Sequence, residues 1–221
     1  MTSPHAPKPK RRSTAPPEQR ARLRRLNLSE LPTETVALAR FLIGTTLVSH
    51  GAQGRAAARI VETEAYLPGD AAAHSYRGET ARNRSLFLRP GHAYVYFIYG
   101  MYFCMNVSSE GAGIGAGVLI RSGEPTHGLK LMERRRPGVP THDLCRGPGK
   151  LASALGISRL HDGLDLTAAG PLWLASASAP VPQIALSRRI GIVKEAERML
   201  RFFERDSPFV SGPKRARYED R

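Results

Sequence analysis

Tyr94-Val95-Tyr96-Phe97-Ile98-Tyr99-Gly100-Met101-Tyr102-Phe103-Cys104-Met105-Asn106 is the stretch on which the fold turns. Its Tyr, Val, Phe and Ile content reads as strand, and Tyr99-Gly100 interrupts it as a turn. His92 to Val107 is therefore expected to form two strands with Tyr99 at the hairpin tip. Four tyrosines and two phenylalanines fall within residues 94–103. A buried aromatic strand is the commoner use of such a run. Stacking on nucleic-acid bases is the other use. A single core has difficulty satisfying that many hydroxyls, which shifts the balance toward a working surface. An aromatic at a hairpin tip can also enter a minor groove as a wedge.

Working outward, Thr45–Ser49, Ala57–Tyr66, Val118–Arg121 and Leu172–Ala175 read as further strands, with a loop over residues 111–117. Helices are expected over Val36–Ile43, capped by Thr33 or Thr35 and stopped at Gly44, and over Gly128–Arg135 after Glu124-Pro125. Another opens at Pro148-Gly149-Lys150 and ends near Gly156, and a basic helix is expected over Lys194–Phe203. Strands without strict βαβ alternation imply a mixed α+β domain with a mainly antiparallel sheet. Residues 1–25 carry eight basic side chains against Glu18 and are broken by five prolines, so they read as a disordered basic arm. The folded domain is expected over residues 26–221.

The 221 residues suit one sizeable core. No apolar run approaches the ~18 to 20 residues of a membrane span. The basic, Pro-rich N-terminus does not read as a signal peptide. Lys and Arg number 33 against 19 Asp and Glu, a formal charge of +14. Charge of this size points to a polyanionic partner, nucleic acid first and a membrane surface second. Arg outnumbers Lys 27 to 6. Arg forms bidentate phosphate contacts, although a GC-rich genome raises Arg as well. Cys104 and Cys145 form no CxxC pair and read as buried thiols in a reducing compartment. The seven histidines form no HxxxH or HxH pair, so no metal site and no cofactor is expected.

In Arg59-Ile60-Val61-Glu62-Thr63-Glu64-Ala65-Tyr66, strand alternation puts Glu62, Glu64 and Tyr66 on one face. Two like charges beside an aromatic must be solvated, or one must have a raised pKa. The first alternative is a solvent-facing strand, and the second a general acid or base. In the loop Pro68–Ser75, small residues would let a planar ligand approach the backbone, with His74 pointing at it or serving as a surface residue. Thr80-Ala81-Arg82-Asn83-Arg84 can hold phosphates or anchor the turn.

Read together, these segments resemble the alkyladenine (3-methyladenine) DNA glycosylase family. The matching stretches are RIVETEAYLPGDAAAHSYRG, ARNRSLFLRPGHAYVYFIYGMYFCMNVSS, GVLIRSGEP, LCRGPGKLASALGI and RFFERDSPFVS, in order from about residue 30 to 211. The resemblance implies a single α+β domain with a curved, mainly antiparallel sheet and surrounding helices. It implies that Glu64 deprotonates the attacking water and that Arg121 positions water and nucleotide. Tyr66 and His74 would sandwich an everted base, with Tyr96 at the pocket edge. Ala72 and the His74 N–H would read the purine edge, and Asn106 would screen the guanine amino group. Tyr99 would be the wedge. Arg82, Arg84 and Lys150 are candidate phosphate contacts. The chain departs from the animal enzymes by a loop one residue shorter between Tyr66 and His74, and by Ala81 in place of Pro.

The implied activity is removal of damaged purines from double-stranded DNA by a monomer with no membrane partner. The implied location is the cytoplasm with the nucleoid in a prokaryote, or the nucleus in a eukaryote. No lysine lies between Lys10 and Lys130, the region expected to hold the whole pocket, so hydrolysis without Schiff-base strand cleavage is expected. Two rivals remain. A non-catalytic nucleic-acid module leaves Glu62 and Glu64 unused, and a carbohydrate hydrolase leaves the positive charge unused.

Overall fold

The computed structural model describes residues 23–98, 100–177 and 183–212. Tyr99 and most of the expected N-terminal arm lie outside the described residues. Leu23–Arg25 are within them: Arg24 pairs with Glu30, and Arg25 bridges Ala175.

The elements are α1 (Thr35–Leu42), β1 (Thr46–Gly51), β2 (Gly54–Tyr66), β3 (Ala93–Ile98), β4 (Tyr102–Ser108), β5 (Gly117–His127), α2 (Leu129–Arg135), α3 (Pro148–Leu155), β6 (Leu172–Ala175), β7 (Ile184–Ser187) and β8 (Arg201–Glu204). The strands form one curved sheet in the order β3-β4-β5-β2-β1-β6. Every strand pair described is antiparallel. This is the α+β single domain with a curved antiparallel sheet that the sequence implied.

The 13-residue β2 is the spine. On one side β5 pairs along its length, while on the other β1 pairs with its first half and β8 with Glu62–Glu64. The β2–β5 register shifts around Ile60–Thr63. Such bulges bend a strand and re-aim its side chains. Here the bulge falls where the two carboxylates sit. The main core packs α1, through Leu38, Ala39 and Leu42, against Ile60 and Ala65 of β2, and the Thr63 hydroxyl donates to the Ala39 carbonyl.

Three local expectations are corrected. The cap of α1 is Glu34, whose carboxylate accepts from the N–H groups of Val36 and Ala37 at 2.9 and 2.6 Å. Thr35 is instead spent on Ser109 and Glu110. β5 runs on to His127, so Glu124-Pro125 lies in a strand, and Glu124 pairs with Arg59. Residues 194–200 are turns, and Arg201–Glu204 is strand β8. Helical charge patterning lost there because both faces of β8 are covered. Phe202 enters the main core, and Phe203 packs with Val61 and Val210. β7, its hairpin partner, was not expected at all.

Candidate active site

A cavity of about 520 Å³ opens where β2–β5 meet the start of α3 and the 190–192 segment. Tyr66, at the end of β2, forms part of its wall, and Ala72 and His74 come from the following loop. Tyr96 of β3, Asn106 of β4 and Arg121 of β5 complete the sheet side. Six residues read from the sequence as base-binding or catalytic thus meet at one cavity.

The ring stack is built by strand alternation. Tyr94 and Tyr96 are two apart on β3, so they share a face and stack at 5.1 Å with planes 20° apart. His74 meets Tyr96 edge-on at 4.5 Å, and its Nδ1 lies 3.0 Å from the Tyr94 hydroxyl. Partial burial, and secondarily Arg82, lower the His74 pKa and so favour the neutral imidazole. Burial pushes the Tyr94 hydroxyl up to about 12 and raises Tyr96 well above its ordinary value. The aromatic run therefore serves as both core and cavity. Tyr94 and Tyr96 are buried, whereas Phe97 and Tyr102 are exposed.

Glu62 and Glu64 are fully buried, so neither sits on a solvent face. Their mutual repulsion is relieved by Arg121, which lies between them. Its Nε donates to Glu62 at 3.0 Å, and its Nη1 lies 3.1 Å from Glu64. Glu62 also accepts from Arg201 Nε at 2.7 Å and from the Ser211 N–H and hydroxyl at 2.6 and 2.9 Å. Burial alone would raise the Glu62 pKa, but Arg121, Arg201 and the Ser211 N–H outweigh it and the net shift is downward.

Glu64 is not itself a wall residue, but its partners are. It accepts from the Tyr66 hydroxyl at 3.0 Å, from the Ile190 N–H at 2.7 Å and from Arg121, and all three partners line the cavity. Among the described residues its Oε1 takes only the Ile190 donor, which leaves a lone pair for a further donor.

Asn106 is buried, and its Oδ1 has no hydrogen-bond partner among the described residues. Buried polar atoms are nearly always paired, so this amide stands ready for a ligand at the cavity wall. The Ala72 N–H is already given to Asp70 at 2.8 Å.

Other expected residues fall differently. Lys150, exposed on the first turn of α3, lines the cavity beside Gly147 and Gly149. The pocket is therefore not confined to the lysine-free region 10–130. Arg82 lines a neighbouring hollow of about 310 Å³ on the far side of His74. Arg84 is exposed and loosely paired with Glu79 at 3.5 Å. Within that segment Asn83 is the anchor. Its amide donates to the carbonyls of His74 and Gly78 at 2.9 and 3.0 Å and accepts from Thr80.

Several contributors went unread. Arg201 and Ser211 lay in the quoted RFFERDSPFVS stretch, but only contacts could reveal their link to Glu62. Ser187-Arg188-Arg189-Ile190 looks like a basic surface turn, yet Arg189 is fully buried and ion-paired to Asp70. No chain-local signal separates a buried Arg from a surface one.

A single curved sheet with a buried carboxylate–arginine cluster behind an aromatic cavity defines a hydrolase-like site open to a flat ligand. The methylpurine-DNA glycosylase family profile matches residues 29–208, and the chain belongs to that family: it is a DNA glycosylase, a hydrolase of N-glycosidic bonds in DNA acting in base excision repair. A relative from Mesorhizobium japonicum is 57% identical over 84% of this chain and 89% of its own length. One from Paraburkholderia phytofirmans is 47% identical over 84% and 87%, and one from Methanocella arvoryzae 47% over 80% and 90%. Each is named "Putative 3-methyladenine DNA glycosylase". No described helix is long and apolar enough to cross a membrane.

Proposed function

We propose that the chain is a monofunctional enzyme, acting as a monomer, that flips alkylated or deaminated purines out of duplex DNA and hydrolyses them off the sugar. The proposed bases are 3-methyladenine first, then 7-methylguanine, hypoxanthine and 1,N6-ethenoadenine. The observation that carries this reading is Glu64: a buried carboxylate with a free lone pair, held by three groups of an aromatic-walled cavity.

In this reading the everted base stacks between Tyr66 and His74 above Tyr96. Eversion costs a few kcal/mol, and least for damaged or mispaired bases. Glu64 takes a proton from water and stabilises the oxocarbenium-like sugar as the base departs. Arg121, locked between Glu62 and Glu64, orients carboxylate and nucleotide. A cationic methylated purine leaves readily, so the protein must supply mainly geometry and negative charge. Asn106 meets the purine edge, where its bulk screens out the guanine amino group. Ala72 and the His74 N–H flank the other edge. Tyr99 fills the gap left in the stack, and Arg82, Arg84 and Lys150 meet phosphates.

The test uses duplexes with one hypoxanthine or ethenoadenine, and methylated DNA for the alkylated bases. Strand breaks should appear only after alkali. Binding without breaks would overturn the enzymatic reading of these substrates. The position of Lys150 makes a second check necessary. Borohydride should trap no adduct, and an adduct lost in Lys150→Ala would establish a lyase step instead.

A further inference from the structure

The two faces of the Tyr66 ring are unlike. One belongs to the cavity wall. Against the ring lies Arg189, its guanidinium carbon 4.6 Å from the centroid. Arg189 is fully buried and is not a wall residue, so it occupies the face turned away from the cavity. It is held there by Asp70, equally buried, and by the Ala65 carbonyl at 3.1 Å. Its Nε has no acceptor, so the placement over the ring sacrifices a hydrogen bond.

We propose that Arg189 sets the range of purines accepted: from the back face of Tyr66 it weakens the attraction of the front face for a positively charged base relative to an uncharged one. The inference rests on the reading of Tyr66 as the stacking partner.

An aromatic face attracts cations through its quadrupole. A guanidinium on one face draws π density toward itself, which leaves the opposite face less negative. Two cations on opposite faces of one ring also repel each other through it. Asp70, in contact with Arg189, cancels much of this long-range repulsion but not the local polarisation. A neutral base feels neither effect strongly. The gap between cationic lesions such as 7-methylguanine and neutral ones such as hypoxanthine is thereby narrowed. The other charges near the slot and Arg189 include Glu62, Glu64, Arg121, Lys150, Arg82 and Glu195, and none is altered in the variants below. A purely structural role, tying the 189–192 wall to the 70–73 loop, would slow both substrates alike.

The experiment compares excision of 7-methylguanine and hypoxanthine, in one duplex context, as a ratio of second-order rates. Arg189→Gln with Asp70→Asn removes both charges together and should raise the cationic-to-neutral ratio about three- to tenfold. Asp70→Asn alone leaves Arg189 unbalanced and should lower it. Arg189→Lys keeps the charge and should keep the wild-type ratio. If the double variant fails to fold, the opposed behaviour of Asp70→Asn and Arg189→Lys still decides. A ratio that does not move in Asp70→Asn, or that moves in Arg189→Lys as in the double variant, overturns the proposal. A wild-type chain that excises neither base sinks the functional reading itself, whereas an active one with an unmoved ratio sinks only this inference.

Discussion

Glu64 and Asn106 are the side chains whose surroundings make the sharpest demands. Glu64→Gln keeps the shape, and its one amide oxygen can still accept from Ile190 or from Tyr66, but it removes the proton acceptor. Excision should fall by at least ~10²-fold, the usual share of a general base. Lesion binding, measured by fluorescence anisotropy, should survive. Wild-type rates in this variant would exclude Glu64 as the base. Glu62 behaves differently because its role is internal. Glu62→Gln removes the buried carboxylate that Arg121 and Arg201 share, leaving Arg121 with Glu64, which should cost about 3 to 5 kcal/mol in denaturant unfolding. Truncating His74 should slow excision at little cost in stability, since the residue is partly open to solvent and, among the described residues, its ring hydrogen-bonds only to Tyr94.

Among the elements, the 67–83 loop depends most on a single residue. Asn83 ties Thr80, Gly78 and His74 into one turn. Asn83→Ala should cost about 1 to 3 kcal/mol through stranded buried groups and should raise KM more than it lowers kcat, because the loop carries His74, the proposed stacking ring. A selective fall in kcat would contradict that. At the β5–α2 junction, Gly128 has φ +71, and a Cβ there would lie 2.2 Å from the Arg55 carbonyl oxygen. Gly128→Ala should be strongly destabilising, with a lowered Tm as the readout. The sequence suggested a helix starting near Gly128, and the positive φ explains why α2 begins one residue later. It could not show that the turn is fixed by contact with β2. The Lys194–Phe203 segment carries the same lesson. Its local pattern is helical, yet Arg201 is drawn into the sheet by Glu62, 139 residues away in the chain.

For the molecule as a whole, two responses to solvent follow. The folded-state pKa of Glu62 is lowered, so the folded protein binds fewer protons there than the unfolded chain does. This contribution to stability is fully present above the unfolded value near 4.5 and is lost as the pH falls through the lower folded value. Unfolding free energy should therefore decline below about pH 5, and Glu62→Gln should flatten that decline. A pH profile identical in the variant would assign the acid sensitivity to other groups. With a formal charge of +14, DNA affinity should fall steeply with salt, linearly in log–log form. A slope near zero would remove phosphate contacts from the account.

By itself the sequence determined the class of fold, most strand and helix positions, and six of the residues that meet at the cavity. All of these are written in short-range signals: period-two alternation, glycine and proline punctuation, and unbroken motif stretches. Only the tertiary structure decided which partners the two buried glutamates find, because that depends on where Arg121, Ile190, Arg201 and Ser211 arrive from distant segments. It alone placed Lys150 and Ile190 on the cavity wall and Arg189 behind Tyr66. Burial and ion pairing are properties of contacts between remote segments, and an isolated stretch of chain carries no record of which partner will reach it.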